Sequence, residues 1–280
     1  MKIAIIGLGL IGGSMALDLK KRGFASQVIG VDINPQHANI AMLSKLVDRI
    51  ETLERAVEAS ELIVLATPID ACKSLLPKVL DLCNNTTKVV TDVGSTKAGL
   101  AEEIARHPNR AQYVASHPMA GTEFSGPLAA ISRLFDYKTA IICDHEKSAS
   151  QALETVKSMY EALHMKVIYM NAREHDVSAA YVSHISHLSS FALSLAVLEK
   201  EKDEKRILDL ASGGFASTVR LAKSSAEMWV PVFHQNSEYV LEVLDTYIEK
   251  LLLFREAIHH KEDDKVAELI HESNKIQKIL

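Results

Sequence analysis

The chain has 280 residues, which at roughly 150 residues per domain means about two domains and excludes a single small module. Its 31 lysines and arginines face 36 aspartates and glutamates, a net charge of −5 that gives a phosphate backbone no electrostatic footing, so nucleic acid is not an expected partner. With 48% hydrophobic and 24% charged residues the composition is that of an ordinary soluble globular chain and excludes disorder.

Lys2 and the apolar run over residues 3–17 imitate the start of a secretory leader. Gly7, Gly9, Gly12 and Gly13 interrupt that run, and Asp18, Lys20, Lys21 and Arg22 stand where a small-residue cleavage site belongs. The run is also too short for a membrane span. Export and membrane insertion are therefore not expected. Cys72, Cys83 and Cys143, scattered singly, fit a reducing cytoplasm better than a disulfide framework or a zinc ribbon.

Up to about residue 170, short runs rich in Ile and Val alternate with helical stretches, the pattern of parallel strands joined by crossover helices. Strands are expected over residues 2–6, 28–31, 62–65, 88–91, 113–116, 138–143 and 166–169. Right-handed crossovers make of them an α/β, doubly wound, mostly parallel Rossmann sheet, with ligands outside the carboxyl ends of the strands. From about residue 171 the strand signal stops. Val177, Tyr181, His184, Leu188, Phe191 and Leu195 recur with helical spacing, a glycine-rich break at 212–215 separates that helix from its successor, and a long helix runs over 237–258. The apolar positions of the long helix cover more than a stripe of about 100°, so it needs a second partner, and a homodimer interface supplies one. The expected domains are 1–170, binding a dinucleotide, and 171–280, all helical, binding substrate and forming the dimer.

Gly7, Gly9 and Gly12 form a GxGxxG run that follows an expected strand and opens an expected helix, and Asp32 ends the second strand 20 residues later. The glycines permit the tight turn, the approach of backbone to a pyrophosphate and the packing of helix on strand, while the carboxylate accepts from a ribose and repels a 2'-phosphate. NAD is the expected cofactor, and residues 33–37 supply no arginine that would favour NADP. Three further segments fall at the same edge: Thr67 and Pro68, DVGSTK at 92–97, and SHPMAGTE at 116–123. His117, between a serine and a proline on a short loop at a strand's end, suits a group that meets a substrate hydroxyl, although alone it also fits a structural loop histidine. In the helical half His184 and His187 lie at i and i+3 on one face. His184 falls in the apolar stripe and reads as a core histidine, while His187 is open between core and site. Third and fourth metal ligands at motif spacing are lacking, so no metal is expected. Arg220, near a turn, suits the forking of a carboxylate but equally fits an exposed helix arginine.

Taken together and in this order, the fingerprint, DVGSTK, SHPMAGTE, EHD followed by SHISH, and the GGF, Arg220 and Met228-Trp229 stretch resemble the motifs of the prephenate and arogenate dehydrogenase family. The resemblance implies a nicotinamide-dependent oxidative decarboxylation in tyrosine biosynthesis, with His117 as the catalytic histidine, Ser95 as the serine beside it, and His187 and Arg220 binding substrate. Glu123 and Trp229 match positions near the site entrance. Where some relatives carry a basic and an acidic residue after Gly-Gly-Phe, this chain has Ala216 and Ser217, so the ionic gate made there is not expected. With its last residue at Leu280 and its first at Met1, the chain is expected to carry neither an appended regulatory domain nor a preceding mutase domain. Prephenate is the expected substrate and arogenate the alternative. A beta-hydroxyacid-type dehydrogenase and a non-catalytic NAD-sensing protein share the first domain, but neither needs His117, Ser95 and Arg220 together.

Overall fold

Strands that are apolar at every position require cover on both faces, and the helices supply it. A computed structural model describes residues 1–204 and 206–278, which form two compact units, Met1–Asn236 and Ser237–Leu280. In the first unit the chain runs β1 (Lys2–Ile6), α1 (Leu10–Lys21), β2 (Gln27–Val31), α2 (Pro35–Leu43), β3 (Arg49–Ile50), α3 (Leu53–Ala59), β4 (Leu62–Leu65), α4 (Ile69–Leu82), β5 (Val89–Asp92), α5 (Ala98–Glu103), β6 (Tyr113–Pro118), β7 (Thr139–Cys143), α6 (Ser150–Ala162) and β8 (Lys166–Met170). The sheet order is β3-β2-β1-β4-β5-β6-β7-β8, with the order reversing at β1 and β4. Side chains alternate between two cores. Ile3 and Ile5 meet Met15 and Leu19 of α1 on one face, and Ala4 and Ile6 meet Leu76 and Val79 of α4 on the other.

Strands β1 to β6 are parallel, β7 is antiparallel to β6, and β8 is parallel to β7. Two differences from the sequence reading matter. The edge strand β3 has no apolar run and was not expected. Strand β6 runs two residues further than expected, because β7 returns beside it and pairs His117 with Ile141 and Pro118 with Ala140. His117 therefore sits in a strand and not on a loop after it. An antiparallel neighbour needs no crossover, so the connection from β6 to β7 stays at the carboxyl edge. It is pinned to α1: Ser132 Oγ and the Arg133 N–H donate to the buried Asp18 carboxylate at 2.7 and 2.8 Å, and the Ile131 N–H donates to Ser14 Oγ at 3.0 Å.

Asn171 closes the strand region and starts α7 (Ala172–Ala179) through a reciprocal cap, its side chain accepting from the Glu174 N–H at 2.8 Å while Glu174 accepts from the Asn171 N–H at 3.0 Å. The helix passes through a π-helical turn, Ala180–His184, into α8 (Ile185–Asp203). The glycine pair does not break two helices apart, as the sequence suggested. Gly213 opens α9 (Gly213–Thr218), where the first turn tolerates glycine, and α10 (Ala226–Gln235) follows. Helices α7 and α10 pack on α5 and α4. The second unit consists of α11 (Ser237–His259), close to the expected bounds, and α12 (Asp263–Ser273). Leu241, Ile248, Leu251 and Leu252 on α11 are exposed.

Candidate active site

The dinucleotide fingerprint is built from steric necessity at two glycines and from vacancy at the third. Gly7 has φ +96°, and a Cβ there would lie 2.4 Å from the Ala66 carbonyl oxygen; at Gly12 it would lie 2.0 Å from the Gly7 oxygen. Only glycine fits either position. A Cβ at Gly9 would meet no atom of the described residues within 4 Å, which leaves the space that a pyrophosphate needs to approach the backbone. Gly9 is the N-cap of α1 and offers no side-chain cap, leaving the first-turn N–H groups for an anion. Asp32 is oriented by the Leu8 N–H at 2.9 Å and the Asn34 N–H at 2.8 Å, which tie its carboxylate to the fingerprint turn. Just after β4, the buried Thr67 hydroxyl has no hydrogen-bond partner among the described residues, and Pro68 is the N-cap of α4. An open glycine cradle, an uncapped helix start, a tethered carboxylate and an orphaned hydroxyl together fit NAD.

At the same sheet edge the half-buried His117 is held from behind. Its Nδ1 lies 2.8 Å from His175 Nε2, and His175 Nδ1 lies 2.7 Å from Asp176 Oδ1. Asp176 also accepts the Lys97 N–H at 2.7 Å and the Ala98 N–H at 2.8 Å, while Asn236 donates to its carbonyl at 2.8 Å. The Lys97 side chain is wholly buried. Its ammonium pairs with the buried Asp92 carboxylate and donates to the Ser116 carbonyl, the peptide entering His117, at 2.7 Å. Asp92 in turn accepts from Tyr113 Oη at 2.6 Å and from the Gly94 N–H at 2.8 Å. Burial, and after it the neighbouring His175, Lys97 and His184, hold the His117 imidazole well below its usual pKa. Burial likewise lowers His175 against the opposing pull of Asp176. Both rings are uncharged at neutral pH.

The DVGSTK segment therefore contributes a buried ion pair beneath His117, which its place at a strand end did not reveal. Ser95 is half-buried, and its hydroxyl has no hydrogen-bond partner among the described residues. The sequence reading singles out neither His175 nor Asp176, which the structure places behind His117, although EHD is part of the resemblance. The available signal was an acidic residue next to a histidine one turn into a well-capped helix.

The helical residues gather in two pairs. His187 donates from Nδ1 to the Ser183 carbonyl at 3.1 Å, and its ring lies 3.7 Å from that of Trp229, tilted by 30°. Trp229 is buried, and its indole N–H has no hydrogen-bond partner among the described residues. Arg220 donates from Nη1 to Glu123 Oε2 at 2.8 Å, joining the β6–β7 connection to the segment after α9, so an ion pair at this point is made without charges at Ala216 and Ser217. The Glu123 carboxyl is held below the usual carboxylate range by its own backbone N–H and by Arg220. His184 is a core histidine, buried and bonded to Asn236 at 3.1 Å, with burial pushing it down to about 4.

A Rossmann sheet with an open phosphate cradle, and an uncharged histidine backed by buried groups at the same edge, define a dehydrogenase that uses a nicotinamide dinucleotide. Residues 15–169 match the family model described as prephenate dehydrogenase, nucleotide-binding domain, and residues 171–272 the one described as prephenate dehydrogenase, dimerization domain. The chain belongs to the prephenate dehydrogenase family. It is 30% identical to the prephenate dehydrogenase of Bacillus subtilis over 94% of this chain and 72% of that one. The crystal structure of prephenate dehydrogenase from Aquifex aeolicus with hydroxyphenyl propionate and NAD+ superposes with a TM-score of 0.86 at 28% identity, covering 100% of this chain and 97% of that one. Synechocystis arogenate dehydrogenase gives 0.78 at 29% identity over 99% of each chain.

Proposed function

We propose that the protein converts prephenate to 4-hydroxyphenylpyruvate by NAD-dependent oxidative decarboxylation. The observation that carries this reading is the uncharged His117, whose Nδ1 is engaged by His175 and whose Nε2 has no partner among the described residues. Gly7, Gly9, Gly12, Asp32, Thr67 and Pro68 would hold NAD, which would supply the hydride acceptor. His117 takes the substrate hydroxyl proton as hydride leaves the same carbon, with Ser95 beside it. The electron pair of the breaking carbon–carboxylate bond completes the aromatic ring, and the proton returns to the phenol oxygen. Arg220 and His187 hold the carboxylates, and Trp229 backs His187. With the Glu123 carboxylate already paired to Arg220, a substrate ammonium has a competitor there, which favours prephenate over arogenate. The assay is NADH formation with prephenate and arogenate in parallel; a higher kcat/KM for arogenate overturns the preference.

Asp32 sets the cofactor. NAD is expected to exceed NADP in kcat/KM by at least about tenfold, about 1.4 kcal/mol, because the carboxylate repels a 2'-phosphate. Equal values for the two cofactors would remove that role.

The working protein is a homodimer formed through the helical half, with domains 1–170 and 171–280. The division is supported by the two family models, which meet between residues 169 and 171. The dimer is supported by the description of the second model and by exposed Leu195 and Leu198 on α8 and Leu251 and Leu252 on α11. Light scattering at micromolar concentration is expected to give twice the chain mass, and a monomer would refute the dimer. Three buried, unpaired cysteines support a place in the cytoplasm.

A further inference from the structure

With both rings uncharged, the hydrogen bonds behind His117 have one consistent set of directions. Asp176 is a carboxylate whose two oxygens already accept the Lys97 N–H at 2.7 Å and the Ala98 N–H at 2.8 Å, and a carboxylate has only acceptors to offer. His175 Nδ1, 2.7 Å from Asp176 Oδ1, therefore carries a proton. A neutral imidazole holds one proton, so His175 Nε2 is a lone pair. His117 Nδ1, 2.8 Å away, must be the donor, and the lone pair of neutral His117 lies on Nε2.

We propose that His175 and Asp176 are positioning residues that fix His117 as its Nδ1–H tautomer, so that Nε2 is the atom that accepts the substrate hydroxyl proton. The proposal rests on the reading of His117 as the base. When Nε2 takes the proton, the electron pair of the broken O–H bond forms the carbon–oxygen double bond as hydride leaves the carbon, and no proton leaves Nδ1. The His117–His175 bond then becomes charge-assisted, with the Asp176 carboxylate behind it. The logic extends that of a serine–histidine–aspartate triad, in which the carboxylate sets the tautomer and steadies the imidazolium, by one additional ring. The chain is also rigidly mounted. Asp176 is held by backbone at α5 and by the Asn236 side chain, and His175 is fully buried.

Two experiments test this on the full-length protein with NAD bound. The first is nitrogen-15 NMR of histidine-labelled wild-type protein, with the His117 signals identified by their loss in His117→Asn. The expected result is a protonated Nδ1 and an unprotonated Nε2 on His117 at neutral pH; a proton on Nε2 overturns the proposal. The second compares His175→Phe, which removes the acceptor, with His175→Gln, whose amide oxygen restores one. His175→Phe is expected to lower kcat by at least about 10²-fold, towards the about 10⁴-fold that the wrong tautomer of a catalytic imidazole costs, and His175→Gln to recover at least about tenfold of that. Prephenate KM and NAD affinity should change by less than about threefold in both. Wild-type kcat in the phenylalanine variant, equal rates in the two variants, or a loss residing in KM overturns it. A variant that fails to fold leaves the wild-type NMR result to decide. A wild-type enzyme inactive on prephenate refutes the functional reading, while the tautomer is still judged by its spectrum.

Discussion

Replacement of His117 by asparagine is expected to lower kcat by about 10²- to 10⁴-fold, leaving prephenate KM and NAD affinity little changed. The amide has similar reach and polarity but accepts no proton at neutral pH, and a general base contributes mainly in the transition state. The pH dependence follows from the same ring. Burial first, then His175, Lys97 and His184, depress its affinity for protons below the ordinary value of 6.5. Lowering the pH through that depressed value protonates Nε2 and removes the acceptor, so kcat/KM of the wild type should show an acid limb lying below pH 6.5. The asparagine variant should lack it. The measurement is kcat and kcat/KM against pH for both proteins; near wild-type turnover, or the same acid limb in the variant, assigns the base to another residue.

Arg220→Ala is expected to raise prephenate KM by about 30-fold, about 2 kcal/mol, without altering NAD affinity. Truncating one member of a buried charge pair costs about 2 to 5 kcal/mol or more. The low end applies here because the Arg220 side chain is 51% exposed, where solvent screens the interaction. One guanidinium nitrogen is engaged by Glu123 at 2.8 Å, and the remaining donors of the fork are left for a carboxylate. Glu123→Gln separates the two roles. It loosens Arg220 without removing it, so prephenate KM should fall or hold. An unchanged KM in the alanine variant takes Arg220 out of the site, and a 30-fold rise in the glutamine variant would shift the role to Glu123.

The legible parts of the chain were those that local rules encode. The short runs rich in Ile and Val placed seven of the strands to within about two residues, because strands covered on both faces need that composition whatever surrounds them. Helix α11 was visible for the same reason, through its period and its excess of apolar surface. The fingerprint was legible because its glycines stand at a fixed spacing between a strand and a helix; Gly12 answers to the Gly7 carbonyl within the turn, while Gly7 answers to its positive φ and to Ala66 after β4. Strand β3 was not, since its two residues owe their conformation to pairing with β2 and not to their own pattern.

His117, Asp32, the glycines and the family to which they belong could be read from residue types at fixed spacings in the sequence. The tertiary structure alone decided that β7 turns back along β6 and draws His117 into the sheet. It also decided that His117 meets His175 58 residues away, and that Arg220 meets Glu123 across 97. A hydrogen bond between distant side chains depends on strand register, helix rotation and the packing between elements, each set by the sum of many contacts. A motif records which side chains are available at a sheet edge, and packing selects the pairs that lie within 3 Å of one another.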